Sequence, residues 1–100
     1  MADFAEIAEL FVADGLAVRA TMMGQPCLKA AGALFAARTP GGALAVKLTP
    51  ERVAEEIAAG HGAAFGPGAT PFAKWVAVTH PSAAYGRERA LEALELLAGA

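Results

Sequence analysis

A chain of 100 residues with a net charge of −2 and a single cysteine excludes an internal disulfide framework and lacks the basic balance of a dedicated nucleic-acid-binding domain. No apolar run approaches the ~20 residues that would span a bilayer. The opening MADFAEIAELF carries acids where a secretion signal needs a basic segment, so a cytoplasmic setting without a membrane partner is expected.

Hydrophobic residues make up 56% of the chain, but many are alanine, so the large side chains suffice for one thin, two-layered core in a single domain over residues 1–100. The first element reads as a helix. Asp3 can cap it, Glu6 follows three residues later, and Phe4, Ile7, Ala8 and Phe11 fall on one stripe. Gly15 is placed to end it.

From Leu16 the period changes to two. In LAVRATM, Val18, Ala20 and Met22 share one face and Arg19 and Thr21 the other. Gly24-Gln25-Pro26 is expected to turn the chain. CLKA and ALFAAR then form a hairpin through Ala31-Gly32, where Gly32 supplies a positive φ. Thr39-Pro40-Gly41-Gly42 is a further turn signal, and in ALAVKL the residues Leu44, Val46 and Leu48 point inward with Ala45 and Lys47 outward. Connections this short leave no room for parallel crossovers, so the stretches form an antiparallel meander.

A second helix starts with Thr49 as cap and Pro50 in its first turn, with Glu51 favourably placed against the helix dipole. Val53 and Ile57 are its expected buried edge. HGAAFGPGATPF has the composition of a loop. KWVAVT reads as a strand with Val76 and Val78 on one face and Trp75 and Ala77 on the other. The last helix places Leu91, Leu94, Leu97 and Ala98 on its apolar side, with Gly86 obscuring its start. The expected class is α+β, two layers, helices on one face of an antiparallel sheet, in the order α-β-β-β-α-β-α.

The glycines lie between strand-like stretches and match no phosphate-binding loop, which would open into a helix N-terminus. Cys27 lacks a neighbouring base in the sequence and reads as a small semi-buried strand residue. Two histidines, His61 and His80, with one cysteine do not make a metal ligand set. No catalytic residue, metal or cofactor is therefore expected.

The charges are more informative. All ten acids lie within residues 3–14, 51–56 and 88–95, the predicted helices or their ends. Arg19, Lys29, Arg38, Lys47 and Lys74 lie in or beside the predicted strands. Helices covering one face of the sheet would leave these cations on the other, with Trp75 beside them, as a surface for phosphates or an acidic partner.

The stretch from Thr21 to Gly60 resembles the N-terminal domain family of TfoX, the bacterial competence regulator, and the related MmcQ/YjbR proteins. The resemblance is carried by Met22-Met23-Gly24, by Gly32 with Leu34-Phe35, by Leu44 to Lys47-Leu48 and by the helix from Pro50. FGPGATPFAKWVAV resembles the loop and Trp-bearing strand of the MmcQ/YjbR branch. Met23 stands where the family usually has Phe. The resemblance implies a two-layer α+β domain with a regulatory or DNA-linked binding role.

The leading expectation is thus a non-catalytic regulatory module that binds DNA or a protein through a basic sheet face. The alternatives are a protein-interaction or homodimerisation module, using an open strand edge such as residues 43–48, and a small-molecule binder or enzyme with a pocket near Cys27 and the Phe65–Pro71 loop.

Overall fold

The structure is a computed structural model that describes residues 2–22, 24–66 and 71–99. Met23 and residues 67–70 of the glycine-rich loop lie outside that range. Among the described residues the elements in chain order are α1 (Phe4–Ala13), β1 (Val18–Met22), β2 (Gln25–Ala30), β3 (Ala33–Arg38), β4 (Leu44–Lys47), α2 (Pro50–Ala58), β5 (Gly62–Ala64), β6 (Trp75–Val78) and α3 (Ala83–Gly99). The fold is α+β with three helices on one face of a six-stranded antiparallel sheet of order β1-β2-β3-β4-β6-β5. The expected order is short of two strands. Four strands, not three, precede α2, and Gly62–Ala64 of the supposed loop pairs along β6.

Local chemistry accounts for most boundaries. Asp3 caps α1 by accepting from the Ala5 N–H at 3.0 Å, and Phe4, Ile7, Ala8 and Phe11 are its buried stripe. Thr49 caps α2 through the Arg52 N–H at 3.2 Å, with Pro50 in the first turn. Ser82 caps α3, its hydroxyl accepting from the Tyr85 N–H at 3.2 Å, so the helix starts upstream of Gly86. The turn between β1 and β2 is displaced from its expected place: Gln25 and Pro26 already belong to β2, opposite Met22 and Thr21.

The core lies between sheet and helices. Leu28, Phe35, Ala36, Leu44, Val46, Val76 and Val78 supply the sheet side, and Phe4, Ile7, Phe11, Val53, Ala90 and Ala93 the helix side. A register shift between β2 and β3 makes room for Phe35 and Ala36 to enter the core together. The buried stripe of α3 is Gly86, Ala90 and Ala93, with the leucines packing around it. A Cβ at Gly86 would sit 2.5 Å from the Ala2 Cβ and 3.1 Å from the Ile7 Cδ1, so α3 approaches as closely as it does because that side chain is missing.

The expected α2 edge needs correction. Val53 is buried, but Ile57 is 41% exposed and Glu56 is the inward residue at 5%. A carboxylate displaces an isoleucine from the interior here because two arginines and a tyrosine meet it there, and two of those partners, Tyr85 and Arg89, lie outside any local window.

Candidate functional site

The register divides the proposed basic set. Lys29 lies opposite Leu34, and Lys47 opposite Trp75, on the face away from the helices. Arg19 pairs with Leu28, a core residue, and so takes the helix side at the edge of β1. Lys74 is an exposed residue of the turn before β6, and its carbonyl accepts the Leu48 N–H at 2.8 Å. Arg38, at the end of β3, donates from Nη1 to the Gln25 Oε1 at 3.3 Å. The five cations therefore do not share one plane. Trp75 is on the helix-free face, but it is buried, its ring centroid 5.9 Å from that of Phe65, and offers no open stacking surface.

What occupies the centre of that face is a row of small side chains crossing the whole sheet. Ala20 pairs with Cys27, Cys27 with Ala37, Ala37 with Ala45, Ala45 with Ala77, and Ala77 with Ala63. Side chains at paired positions stand side by side on one face, so a row of methyl groups is a low floor between taller neighbours. At one end, Val18, Lys29, Leu34, Lys47 and Trp75 rise beside it.

At the other end is a cleft of about 540 Å³. Its lining includes Met22, Ala37, Ala43 and Ala77 from the sheet and Phe65 and Phe72 from the segments flanking the glycine-rich loop. The Phe72 N–H donates to the Phe65 carbonyl at 2.8 Å, and the rings meet edge to face with centroids 6.4 Å apart. That volume falls within the range of about 300–1,000 Å³ usual for small-molecule sites. The polar groups on the lining are the Arg38 guanidinium, the Gln25 amide and the hydroxyls of Thr39 and Thr79. Thr39 already accepts the Ala43 N–H at 3.0 Å. Among the described lining residues there is no acid, histidine, cysteine or lysine.

Cys27 lies in the floor, fully buried rather than semi-buried as expected, and packs with Ala37, Ala45 and Trp75. Burial pushes its thiol up, and the Lys29 ammonium opposes this only in part. The polar chemistry lies instead on the helix side, where α2, β5, β6 and α3 converge. Tyr85 donates its hydroxyl proton to the Glu56 Oε1 at 2.5 Å, which leaves its oxygen to accept from the His61 Nδ1 at 3.1 Å. His61 thus carries its proton on Nδ1. The His80 Nδ1 accepts the Ser82 N–H at 3.1 Å, and its ring stacks on Tyr85 at 4.3 Å between centroids.

Arg52 lies 3.5 Å and Arg89 4.0 Å from the Glu56 Oε2, and Arg52 also grips Glu92 with two donors at 2.7 and 3.1 Å. Burial first, and the bond to Glu56 second, raise the Tyr85 phenol above its ordinary range. The Arg52 hydrogen bond holds Glu92 below the ordinary carboxylate range. None of His61, His80, Tyr85 and Glu56 lines the large cleft, and their bonds are spent on one another. The cluster reads as a clasp between α2 and α3. The sequence signals for it were two histidines and a tyrosine close to glycine and proline turns, which carry no pairing information by themselves.

Comparison with protein-family models, with curated proteins and with solved structures yields no match. No helix among the described residues is long and apolar enough to cross a membrane.

Proposed function

We propose that the protein is a non-catalytic binding module that takes a small, mostly apolar ligand in the cleft on the helix-free face of its sheet. The observation that carries this reading is the cleft itself, about 540 Å³ and walled by alanine, methionine and phenylalanine side chains. Apolar surface left open to water at this scale gains free energy when a ligand covers it, about 25 cal/mol per Å². The residues on the wall offer contact and orientation but no general base or nucleophile, which favours binding over turnover. The resemblance to the TfoX N-terminal family is in keeping with a regulatory module of this kind.

The scattered cations make a phosphate track a poorer use of the same face. Among the described residues Lys29 and Lys47 do not line the cleft, Arg38 does, and Arg19 turns to the helices. A second reading, self-association, is favoured by the edge of β1, where Val18 is 62% exposed and no strand among the described residues pairs on the outer side. The 43–48 edge expected for it is interior, since β4 lies between β3 and β6. Light scattering at micromolar concentration decides this: a dimer broken by Val18→Lys supports it, and a monomer rejects it.

The cleft is tested with 2-naphthamide, a neutral aromatic probe, by titration calorimetry. Saturable binding to the native protein, lost on filling the floor with Ala77→Leu, is expected. Absence of binding, or binding indifferent to that substitution in a folded variant, rejects the cleft as the site.

A further inference from the structure

Arg38 differs from Arg52 and Arg89 of the helix layer in one respect that matters for recognition. Arg52 and Arg89 are surrounded by Glu55, Glu56, Glu88 and Glu92 within 4.0 Å. The Arg38 guanidinium has no carboxylate within that distance among the described residues, and its one hydrogen bond goes to the neutral amide of Gln25. It is also the only charged side chain among the described residues that line the cleft. Gln25 holds it by that bond, and it lies beside Gly42, where even a built Cβ would be in ordinary contact with Nη2 at 3.8 Å.

We infer that the ligand is a monocarboxylate with a flat or branched apolar body, and that Arg38 holds its carboxylate. The inference rests on the cleft being the binding site, as proposed above. A guanidinium presents five N–H donors in a planar fork that matches a carboxylate with two parallel bonds. One donor of Arg38 is engaged by Gln25, and both residues line the cleft with Met22, Phe65 and Phe72; a charge-assisted bond among such apolar neighbours is less weakened by water than on an open surface. A single guanidinium balances a single negative charge. A phosphate dianion would call for a second cation, and neither Lys29 nor Lys47 is among the described residues that line the cleft. Phe65 and Phe72, meeting edge to face, supply the contact for the ligand's body.

The test pairs 2-naphthoate with its neutral isostere 2-naphthamide, titrated calorimetrically against the native protein, Arg38→Gln and Arg38→Lys. The native protein is expected to prefer the acid. Arg38→Gln should weaken 2-naphthoate by about tenfold or more, the usual loss for a charged hydrogen bond, and leave 2-naphthamide within about twofold. Arg38→Lys should keep part of the preference. If Arg38→Gln does not fold, salt gives the same information: about 0.5 M KCl should weaken the acid and spare the amide. Equal binding of both probes by the native protein, or an equal response of both to Arg38→Gln, overturns the carboxylate assignment while leaving the cleft in place. Binding of neither probe overturns the cleft reading and this inference with it.

Discussion

Ala31 occupies a backbone conformation that alanine rarely adopts. Its φ is 52°, and Gly32 follows at 78°, so both central residues of the β2–β3 hairpin are left-handed, as the two-residue turn of that strand twist requires. Gly32 was legible from sequence, while Ala31 was not, because nothing in alanine's chemistry selects that region. The conformation costs alanine about 1–2 kcal/mol, and glycine's greater freedom in the unfolded chain offsets about 0.5–1 kcal/mol of the gain. Ala31→Gly should therefore stabilise the protein by about 0.5–1 kcal/mol in urea denaturation. The opposite sign is expected at Tyr85. Tyr85→Phe strips Glu56 of a donor and His61 Nδ1 of an acceptor in a half-buried setting, and should destabilise by about 1–3 kcal/mol. Cys27, buried with its thiol raised, should react with Ellman's reagent only as fast as the protein opens.

At the scale of elements, the closest packing is that of α3 against α1 and the N-terminal segment. Gly86→Ala forces a methyl group against Ala2 and Ile7, and a loss of about 1–3 kcal/mol is expected from thermal unfolding. The Asp3 and Thr49 caps, the α1 stripe and the inward set of β4 were readable because each depends on residues within one or two turns of chain. Glu56 and β5 were not. Glu56 enters the interior because Tyr85, Arg52 and Arg89 meet it, and Tyr85 and Arg89 come from α3. Gly62–Ala64 has no strand signal of its own and becomes extended only by pairing with Trp75–Val78. The clasp also fixes how α2 and α3 respond to pH. Tyr85, raised in the folded state, contributes stability that is complete below its ordinary value of 10.0 and is lost as pH rises through the raised one. Glu92, depressed, contributes stability present above its ordinary 4.5 and lost as pH falls through its lower folded value. Stability should thus decline at both ends, and Arg52→Leu should remove much of the acid-side decline attributable to Glu92, measured by urea titration across pH.

For the whole molecule, acids ride the helix layer as the sequence suggested, but the opposite face is not a uniform cationic plate. Its dominant feature is the alanine and cysteine row from Ala20 to Ala63 and the cleft at one end of it. No segment of the sequence reveals that row, because it exists only when six strands fall into one register. Composition hinted at it: an alanine-rich chain must put its methyl groups somewhere, and here a sheet face takes them. Titration with a short DNA duplex at low salt should accordingly show no tight, steeply salt-dependent binding. The central claim is that this face, near Ala37, Ala43 and Ala77, holds the ligand, and alanine-methyl NMR during titration with 2-naphthoate tests it directly. Shifts centred on those three methyls, with Ala8, Ala90 and Ala93 of the helix-side core unmoved, are the result expected. Movement of the helix-side methyls instead, or of none, would contradict it.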